Sequence, residues 1–364
     1  MVRSPSCNKR VAGRRLGLAL AVATALLVRA PLSAQDLRLD RFRDYVEALR
    51  VQTGIPGLAA AIVDDTGILW EYASGRQDLE RFIATRTDTP FHLDGLTQVV
   101  TASMVLRCVE EGTLSLDDRV GQFKIDSTEP DATIAQLLSH TSGPPGGLVF
   151  QYRPQRLDPL IPIVRACAVG SYRKTLGNLL ERLAMIDSVP GPDVNQLVPP
   201  AEGIPTPEAA QLYAGVLARL ATPYAVDENR RASPSQYAAT TLTPAGGLIS
   251  TVRDFAQFML ALRQGILLQP ETLATAWRPP LGADGLPLPH GLGWFVQSYN
   301  GETVVWQFGV GANSSSSLLV TVPSRGLTLI LVGNSDGLAN PFPLAAGDLQ
   351  VSPFGRVFLG LFVR

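Results

Sequence analysis

Side chains able to carry out acyl-transfer chemistry are few in this sequence and poorly spaced for it. His140 and Ser142 have the types of a general base and a nucleophile, which must lie within hydrogen-bonding reach of each other. Because they are two residues apart in a turn-forming sequence, we expect local hydrogen bonding with a structural role instead. His92, beside the strand that precedes a helix, and His290, in a proline-flanked loop, have no recognisable partner, and no Gly-x-Ser-x-Gly elbow occurs. These residues by themselves do not define an active site.

A further chemistry-bearing residue, Asp94, lies in the segment 91–98, which reads Phe-His-Leu-Asp-Gly-Leu-Thr-Gln. The apolar pattern after this segment predicts a helix over residues 99–111. A carboxylate could attack an acyl carbon, but a carboxylate just before a helix is typical of a cap that accepts hydrogen bonds from the first free N–H groups. We therefore predict that Asp94 caps the helix.

Three stretches of the chain resemble the serine beta-lactamase and penicillin-binding-protein family, most closely its class C and esterase-like branch. The segment 91–98 and its helix resemble the part of the family that carries a Ser-x-x-Lys motif at the mouth of a helix. Residues 132–143, Ala-Thr-Ile-Ala-Gln-Leu-Leu-Ser-His-Thr-Ser-Gly, resemble its helix and His-Thr-Ser-Gly turn. Residues 244–255, Pro-Ala-Gly-Gly-Leu-Ile-Ser-Thr-Val-Arg-Asp-Phe, resemble its glycine-rich strand and the following helix. The resemblance extends from about residue 40 to about residue 360.

The resemblance implies an α/β (α+β) fold of the beta-lactamase/transpeptidase type. In such a fold an antiparallel sheet flanked by helices forms one lobe, and a cleft separates it from a mainly helical lobe. The implied domain covers residues 35–364, with the α/β lobe at about 38–115 and 240–364 and the helical lobe at about 116–239.

Hydrophobic periodicity agrees with this organisation. A first helix and hairpin are predicted at residues 40–53, 57–63 and 68–73. Later strands and a closing helix are predicted at 294–299, 303–308, 315–322, 327–332 and 352–362. The proline-rich middle contains apolar helical runs at 179–186 and 209–220. Because strands occur at both ends of the chain, we expect one mixed sheet assembled from both termini.

In the family that this chain resembles, a Ser attacks an acyl carbonyl, and a Lys one helical turn away takes or holds the Ser proton. A Tyr from a Tyr-x-Asn motif shares the role of base, and a strand with a Lys-or-His-x-Gly motif forms the far wall of the site. Backbone N–H groups of the Ser and of the residue after that motif bind the oxyanion.

Most of the corresponding positions in this chain carry a different residue. The Ser position is Gly95, the Lys position is Gln98, the Tyr position is Tyr152, the Asn position is Pro154, and the His position is Gln307, with Gly309 and Val310 completing that strand motif. Three of the four polar catalytic groups are thus absent, and Tyr152 alone is kept. Loss of a catalytic Ser lowers the rate by about 10⁴–10⁶-fold, and loss of its partners then adds little because they act as a unit.

The leading hypothesis is a catalytically inactive homologue that keeps a ligand-binding cleft. Its candidate ligand-binding residues are Gly95, Gln98, Tyr152, Gln307, Gly309 and Val310. Backbone N–H groups at Gly95 and Val310 could still bind the carbonyl or carboxylate of a small acyl, ester or peptide ligand. Gln98 and Gln307 would be neutral replacements that hydrogen-bond each other or the backbone, and Tyr152 a cleft-lining aromatic. Two alternatives stay open: a residual or re-purposed hydrolase of esters, amides or beta-lactams using Tyr152 or an activated water, and a non-catalytic partner-binding module.

The N-terminal segment 1–34 has the pattern of a signal peptide. A basic stretch that contains Lys9, Arg10, Arg14 and Arg15 precedes a mostly apolar run too short to span a membrane comfortably, and small residues follow. We therefore expect an exported protein, periplasmic or secreted, without a membrane anchor after cleavage. The arginine pair leaves both the Sec and the Tat route open.

Charge and metal-ligand spacing exclude several other functions. The formal net charge of −1 over 364 residues gives no reason to expect nucleic acid or an anionic membrane as a partner. The three histidines are far apart and no Cys/His spacing suits a metal, so neither a metal nor another cofactor is expected. Cys108 and Cys167 lie in apolar sequence, and a disulfide between them is open in an exported protein, but we expect buried free thiols.

Overall fold

The computed structural model describes residue 1 and residues 34–143, 146–199 and 201–363. The predicted signal peptide therefore lies almost wholly outside the described residues. The α-helices of the described part are α1 (Ala34–Thr53), α2 (Thr97–Glu110), α3 (Ile134–Leu138), α4 (Leu160–Cys167), α5 (Tyr172–Arg182), α6 (Pro207–Leu217), α7 (Val252–Arg263), α8 (Pro270–Ala276) and α9 (Pro353–Phe362). Within those residues, none of the helices has the length and apolar character needed to cross a membrane.

The β-strands of the described residues are β1 (Gly57–Val63), β2 (Ile68–Asp78), β3 (Ile83–Ala84), β4 (Phe91–His92), β5 (Val189–Pro190), β6 (Tyr224–Val226), β7 (Ala232–Pro234), β8 (Leu248–Ser250), β9 (Phe295–Tyr299), β10 (Glu302–Gly311), β11 (Ser315–Val322) and β12 (Leu327–Gly333). The main sheet has the order β3-β2-β1-β12-β11-β10-β9, and its neighbours pair antiparallel. Since β1 pairs with β12, the sheet is assembled from both ends of the chain, and the predicted fold class is confirmed.

Helices cover both faces of the main sheet. Along β1, Ala59 and Ala61 point into a core shared with α2 and α7, whereas Leu58, Ala60 and Ile62 point into a core shared with α1 and α9. Successive side chains of a strand point to opposite faces, so a strand covered on both faces must be apolar throughout. This requirement explains the uninterrupted apolar run of β1, in which every residue is buried.

Helix α2 is held against the sheet by a short second sheet of order β4-β8-β5. The chain leaves β4, and the Leu93 N–H donates to the Leu248 carbonyl of β8 at 2.9 Å. A 3-10 turn, Asp94–Leu96, then leads directly into α2, which is buried along most of its length. The backbone of residues 93–98 is therefore fixed between β8 on one side and the main sheet on the other.

The expectation of two free thiols is wrong. Cys108 in α2 and Cys167 at the end of α4 form a disulfide, with their Cα atoms 5.9 Å apart. Both residues lie on apolar helix faces, as the sequence indicated, but α4 packs on α2 so that the two faces meet. Because 59 residues separate the cysteines, their approach depends on tertiary packing that sequence periodicity does not contain.

The helical run predicted at 179–186 is displaced in the structure. Helix α5 begins at Tyr172, where the Ser171 hydroxyl accepts a hydrogen bond from the Lys174 N–H at 3.2 Å, and it ends at Arg182. A serine at the N-cap satisfies one of the free N–H groups of the first turn, which favours a start at this position. Ala184 follows with φ +53°, a left-handed conformation that cannot continue the helix.

Candidate functional site

The turn that leads into α2 is packed so closely at Gly95 that a side chain there would require its neighbours to move. A Cβ placed on Gly95 would lie closer than 3.0 Å to the Phe308 carbonyl oxygen and 3.1 Å from the Gly309 Cα. Both atoms belong to the backbone of β10, which cannot rotate away as a side chain can. The edge of the main sheet thus occupies the space into which a side chain at position 95 would extend.

Gly309 is restricted from the other side of the same contact. A Cβ there would lie 2.6 Å from the Gly95 nitrogen and against the Leu93 carbonyl oxygen. The Ser317 hydroxyl of the adjacent strand β11 donates to that same carbonyl at 2.6 Å. Two backbone segments are therefore packed directly on each other, and this close approach requires glycine on both.

Asp94 does not cap the helix, contrary to the sequence-based prediction. Its backbone has φ +47°, and its carboxylate instead accepts a hydrogen bond from the Ser315 hydroxyl at 2.7 Å and one from the Gly311 N–H. The side chain thus fastens the loop between β10 and β11 to the 3-10 turn. Burial raises the pKa of Asp94 to about 6, although the bonds from Ser315 and Gly311 act in the opposite direction.

The two glutamines are joined through the tyrosine rather than to each other. The Gln98 Nε2 donates to the Tyr152 hydroxyl oxygen at 2.7 Å, and that hydroxyl donates to the Gln307 Oε1 at 3.4 Å. The Gln307 Nε2 donates to the Gly293 carbonyl at 3.2 Å, and its Oε1 also accepts the Phe308 N–H at 2.9 Å. Gln98 and Gln307 are buried. The predicted bond between the two glutamines is thus replaced by a link through Tyr152, whereas the predicted bonding to the backbone is found for Gln307.

His140 extends this chain of hydrogen bonds and was not assigned to the site from the sequence. Its Nδ1 accepts the Arg153 N–H at 3.4 Å, so its Nε2 carries the proton and donates to the Gln98 Oε1 at 3.0 Å. Burial lowers the pKa of His140 to about 3, which keeps the ring neutral at pH 7. The expected local bond to Ser142 is absent, since the Ser142 hydroxyl donates to Glu129 at 2.6 Å. Only its place in the His-Thr-Ser-Gly turn could have drawn attention to His140.

The two remaining histidines are not brought into this chain. His290 packs its ring against His140 with centroids 4.8 Å apart, and its Nδ1 lies 2.7 Å from the Gly291 carbonyl oxygen. His92 stacks on Tyr237 with ring centroids 3.9 Å apart, and neither of its ring nitrogens has a hydrogen-bond partner among the residues that the structure describes. Burial lowers the pKa of both histidines, so neither supplies charge to the site.

A small cavity of about 240 Å³ lies above this layer of hydrogen bonds. Its wall contains Gly95, Tyr152 and Val310 from the predicted site, whereas Gln98, Gln307 and Gly309 are not part of it. The rest of the wall is mostly small and apolar: Asp94, Pro154, Ala238, Ala239, Ala245, Gly246, Phe308 and Gly311. Among the residues that the structure describes, no group of three or more His, Cys, Asp or Glu side chains is placed to hold a metal ion.

Comparison with known families and proteins gives a consistent assignment. The family model described as Beta-lactamase matches residues 42–184 and 194–350. "Penicillin-binding protein 4" of Amycolatopsis lactamdurans is 35% identical over 133 residues, which are 35% of this chain and 34% of that protein. "Esterase EstB" of Burkholderia gladioli is 37% identical over 113 residues, which are 29% of this chain and 28% of that protein. The chain thus matches about a third of the length of these relatives.

Solved structures with low sequence identity share the fold. The octameric penicillin-binding protein homologue from Pyrococcus abyssi has a TM-score of 0.68 at 19% identity, covering 82% of this chain and 74% of that one. The D-amino acid amidase from Ochrobactrum anthropi has a TM-score of 0.65 at 18% identity, covering 88% of this chain and 97% of that one. At such identities the likeness concerns the arrangement of helices and sheet.

Proposed function

The chain belongs to the beta-lactamase family, and from that premise we propose that it is a non-hydrolysing member that retains the family's cleft as a ligand-binding site. The observation that carries this proposal is the hydrogen-bonded chain His140–Gln98–Tyr152–Gln307. Every link in it has a neutral donor and a neutral acceptor. A catalytic base needs a free lone pair and a pKa near the working pH, and this arrangement offers neither.

Tyr152 is the one polar group kept at a catalytic position, and its surroundings do not suit a base or a nucleophile. Its oxygen accepts from Gln98 and its proton is directed at Gln307. Burial raises the pKa of Tyr152 well above the ordinary value, so the phenolate is strongly disfavoured. A residual hydrolase that uses Tyr152 would have to break this chain before each turnover.

Position 95 and its neighbour Asp94 supply no nucleophile either. At position 95 the backbone of β10 occupies the space of a side chain. The neighbouring carboxylate of Asp94 is buried and hydrogen-bonded to Ser315 and Gly311, which directs it away from attack on a ligand. An activated water would need a base, and Asp94, the carboxylate in the cavity wall, already accepts hydrogen bonds from Ser315 and Gly311.

The cavity favours a small, uncharged acyl group as ligand. Its volume of about 240 Å³ suits an ester or amide group or the end of a short peptide rather than a large molecule. Asp94 lies in its wall and is ionised above a pH of about 6, which disfavours a carboxylate there. The N–H groups of Gly95 and Val310 are the proposed donors to the ligand carbonyl.

We also propose that the protein is exported. The basic and apolar pattern of residues 1–34 supports this location. The Cys108–Cys167 disulfide gives independent support, because disulfides persist in oxidising compartments such as the periplasm and the cell exterior. Fractionation of cells that express the full chain tests the proposal, and retention of the full-length mass in the cytoplasm would contradict it.

The test of the function is the intact mass of the purified protein after exposure to a fluorophosphonate probe and to several beta-lactams. We expect no covalent adduct and no turnover across a panel of esters and amides, together with saturable binding of a neutral amide seen as chemical-shift changes at Val310. Steady ester turnover that falls in the Tyr152→Phe variant would instead support a re-purposed hydrolase. A labelled native chain would show that another nucleophile exists.

A further inference from the structure

A second cavity lies away from the cleft, between helices α5 and α6. Its volume is about 690 Å³, and none of its wall residues belongs to the cleft cavity. Helix α6 buries only Val216, so it lies over this space rather than filling it. The segment 201–206 closes one side. The helical region thus contains a second site large enough for a small ligand.

One face of α5 presents three polar side chains to this cavity. Lys174, Asn178 and Glu181 are spaced four and then three residues apart, so they lie in a row along the helix. At about 1.5 Å per residue, the Cα atoms of Lys174 and Glu181 are roughly 10 Å apart along the axis. Their side-chain polar atoms form no hydrogen bond or ion pair with any described residue, so all three are available to a ligand.

The other charged residue of α5 in the wall is already committed. The Arg173 guanidinium donates to both carboxylate oxygens of Asp193 at 2.9 Å and also to the Pro190 carbonyl. This ion pair fixes the base of the cavity and neutralises Arg173. Of the two basic residues in the cavity wall, Lys174 is therefore the one that can pair with a ligand.

The carboxylate end of the row is flanked by a tyrosine. The Tyr213 hydroxyl of α6 lies 3.5 Å from the position of a Cβ on Gly177, which places it against α5. The nearby Glu181 contributes to raising the pKa of Tyr213, after the larger effect of burial. A carboxylate and a hydroxyl oxygen close together form an acceptor pair that suits an ammonium group.

Apolar side chains complete the wall. Leu180 and Met185 are buried, whereas Ile186 and Leu212 are exposed by 62% and 47% at the cavity mouth. Apolar residues with this exposure on one small surface indicate a place where a partly apolar molecule binds.

We propose that this cavity binds a short zwitterionic peptide, with its carboxylate at Lys174, a backbone amide at Asn178 and its ammonium group at Glu181. An extended chain spans about 3.3–3.6 Å per residue, so a tripeptide of roughly 10 Å matches the distance from Lys174 to Glu181. The dipole of α5 favours the same orientation of the peptide. Lys174 lies in the first turn, whose partial positive charge attracts the carboxylate, and Glu181 lies in the last turn, whose partial negative charge attracts the ammonium group. The apolar wall receives the central side chain.

The first experiment titrates alanyl-leucyl-alanine into the full chain by calorimetry, at low ionic strength. A Cβ at Gly177 meets only ordinary contacts, and Gly177→Leu extends from it into the cavity, so we expect this variant to abolish binding. Gly177→Ala is the matched control and should bind as the native chain does. Ala238→Trp fills the cleft cavity and should also leave binding intact. Binding lost in Ala238→Trp but kept in Gly177→Leu would place the peptide in the cleft and overturn the proposal, as would no binding to the native chain.

The second experiment pairs each terminus with its residue. Amidation of the peptide carboxylate should weaken binding to the native chain roughly tenfold but should leave binding to Lys174→Met unchanged. Acetylation of the peptide amine should likewise weaken binding to the native chain roughly tenfold but should leave binding to Glu181→Gln unchanged. Glu208→Gln removes the other carboxylate of the wall and should leave the response to acetylation unchanged. Binding that is indifferent to both modifications, or an acetylation effect lost in Glu208→Gln instead, would contradict the proposed orientation.

Discussion

The cleft and the cavity between α5 and α6 differ in what their polar groups are bonded to. In the cleft, Gln98, Tyr152 and Gln307 bond one another, and Asp94 is bonded to Ser315 and Gly311. In the cavity, by contrast, the side chains of the row along α5 have no partner among the described residues. A polar group bonded within the protein stabilises the fold and is not free to bind a ligand, whereas an exposed group bonded only to water can exchange that water for a charged ligand group. The difference leaves the cleft to an uncharged ligand bound through backbone N–H groups, and it assigns recognition of charge to the cavity between α5 and α6.

The largest expected effect contrasts a glycine from each region. Gly95→Ala introduces a Cβ closer than 3.0 Å to the Phe308 carbonyl oxygen, and we expect it to lower the free energy of unfolding by roughly 2–4 kcal/mol. Gly177→Ala meets only ordinary contacts and removes a helical glycine, so it should raise stability by about 0.5–1 kcal/mol. Urea denaturation of both variants measures the difference.

The same contact bears on attempts to restore activity. Gly95→Ser/Gln98→Lys supplies the family's Ser and Lys but leaves β10 where the new side chain must lie. We expect no adduct from a fluorophosphonate or a beta-lactam on this variant. A labelled double variant, or a Gly95→Ala variant as stable as the native chain, would show that β10 moves away easily and that the contact is not decisive.

A pH-dependent effect is expected for Asp94. Burial raises its pKa in the folded state to about 6, above the unfolded value of about 3.9. Protonation of Asp94 therefore adds to the free energy of unfolding in full below a pH of about 4, and this contribution is lost as the pH rises to 6. From pH 4 to pH 7 the stability of Asp94→Asn should improve relative to the native chain by about 2–3 kcal/mol.

Other groups act in the same pH window and must be separated from Asp94. Burial lowers the pKa of His92 and His140 to about 3 and that of His290 well below its ordinary value, so these residues make the native chain more stable as the pH rises. The measurement is therefore the difference between variant and native chain in urea at each pH. Burial also raises the pKa of Asp254 to about 6. The stability of Asp254→Asn should therefore improve relative to the native chain over the same pH range. A difference that is flat with pH would refute the desolvation of Asp94.

The smallest effect compares the two tyrosine hydroxyls. Tyr152→Phe leaves the Gln98 amide without its acceptor, and we expect a loss of about 1–3 kcal/mol in the free energy of unfolding. Tyr213→Phe removes a hydroxyl without a hydrogen-bond partner among the described residues, so it should change stability by less than about 0.5 kcal/mol. Thermal unfolding of both variants tests this, and equal losses would remove the distinction between the regions.

Much of the fold followed from local patterns. Strands β1 and β11 have the predicted bounds, and β10 and β12 lie within a few residues of theirs, because their side chains are buried in the alternation or continuous run that a sheet requires. The run at 179–186 was misplaced because the Ser171 cap and the turn at Ala184 act more strongly than apolar spacing. The role of Asp94 was missed because its partners, Gly311 and Ser315, lie more than 200 residues away.

The sequence by itself determined the family, the order of the strands along the chain and the substitutions at positions 95, 98 and 307, since each of these depends on residue type and spacing alone. Only the tertiary structure decided that Cys108 and Cys167 meet, that β10 fills the place of a side chain at Gly95, and that His140 orients Gln98. These are contacts between segments far apart in the chain. Their distances of a few ångströms follow from how the segments pack, and no local pattern of residues contains that information.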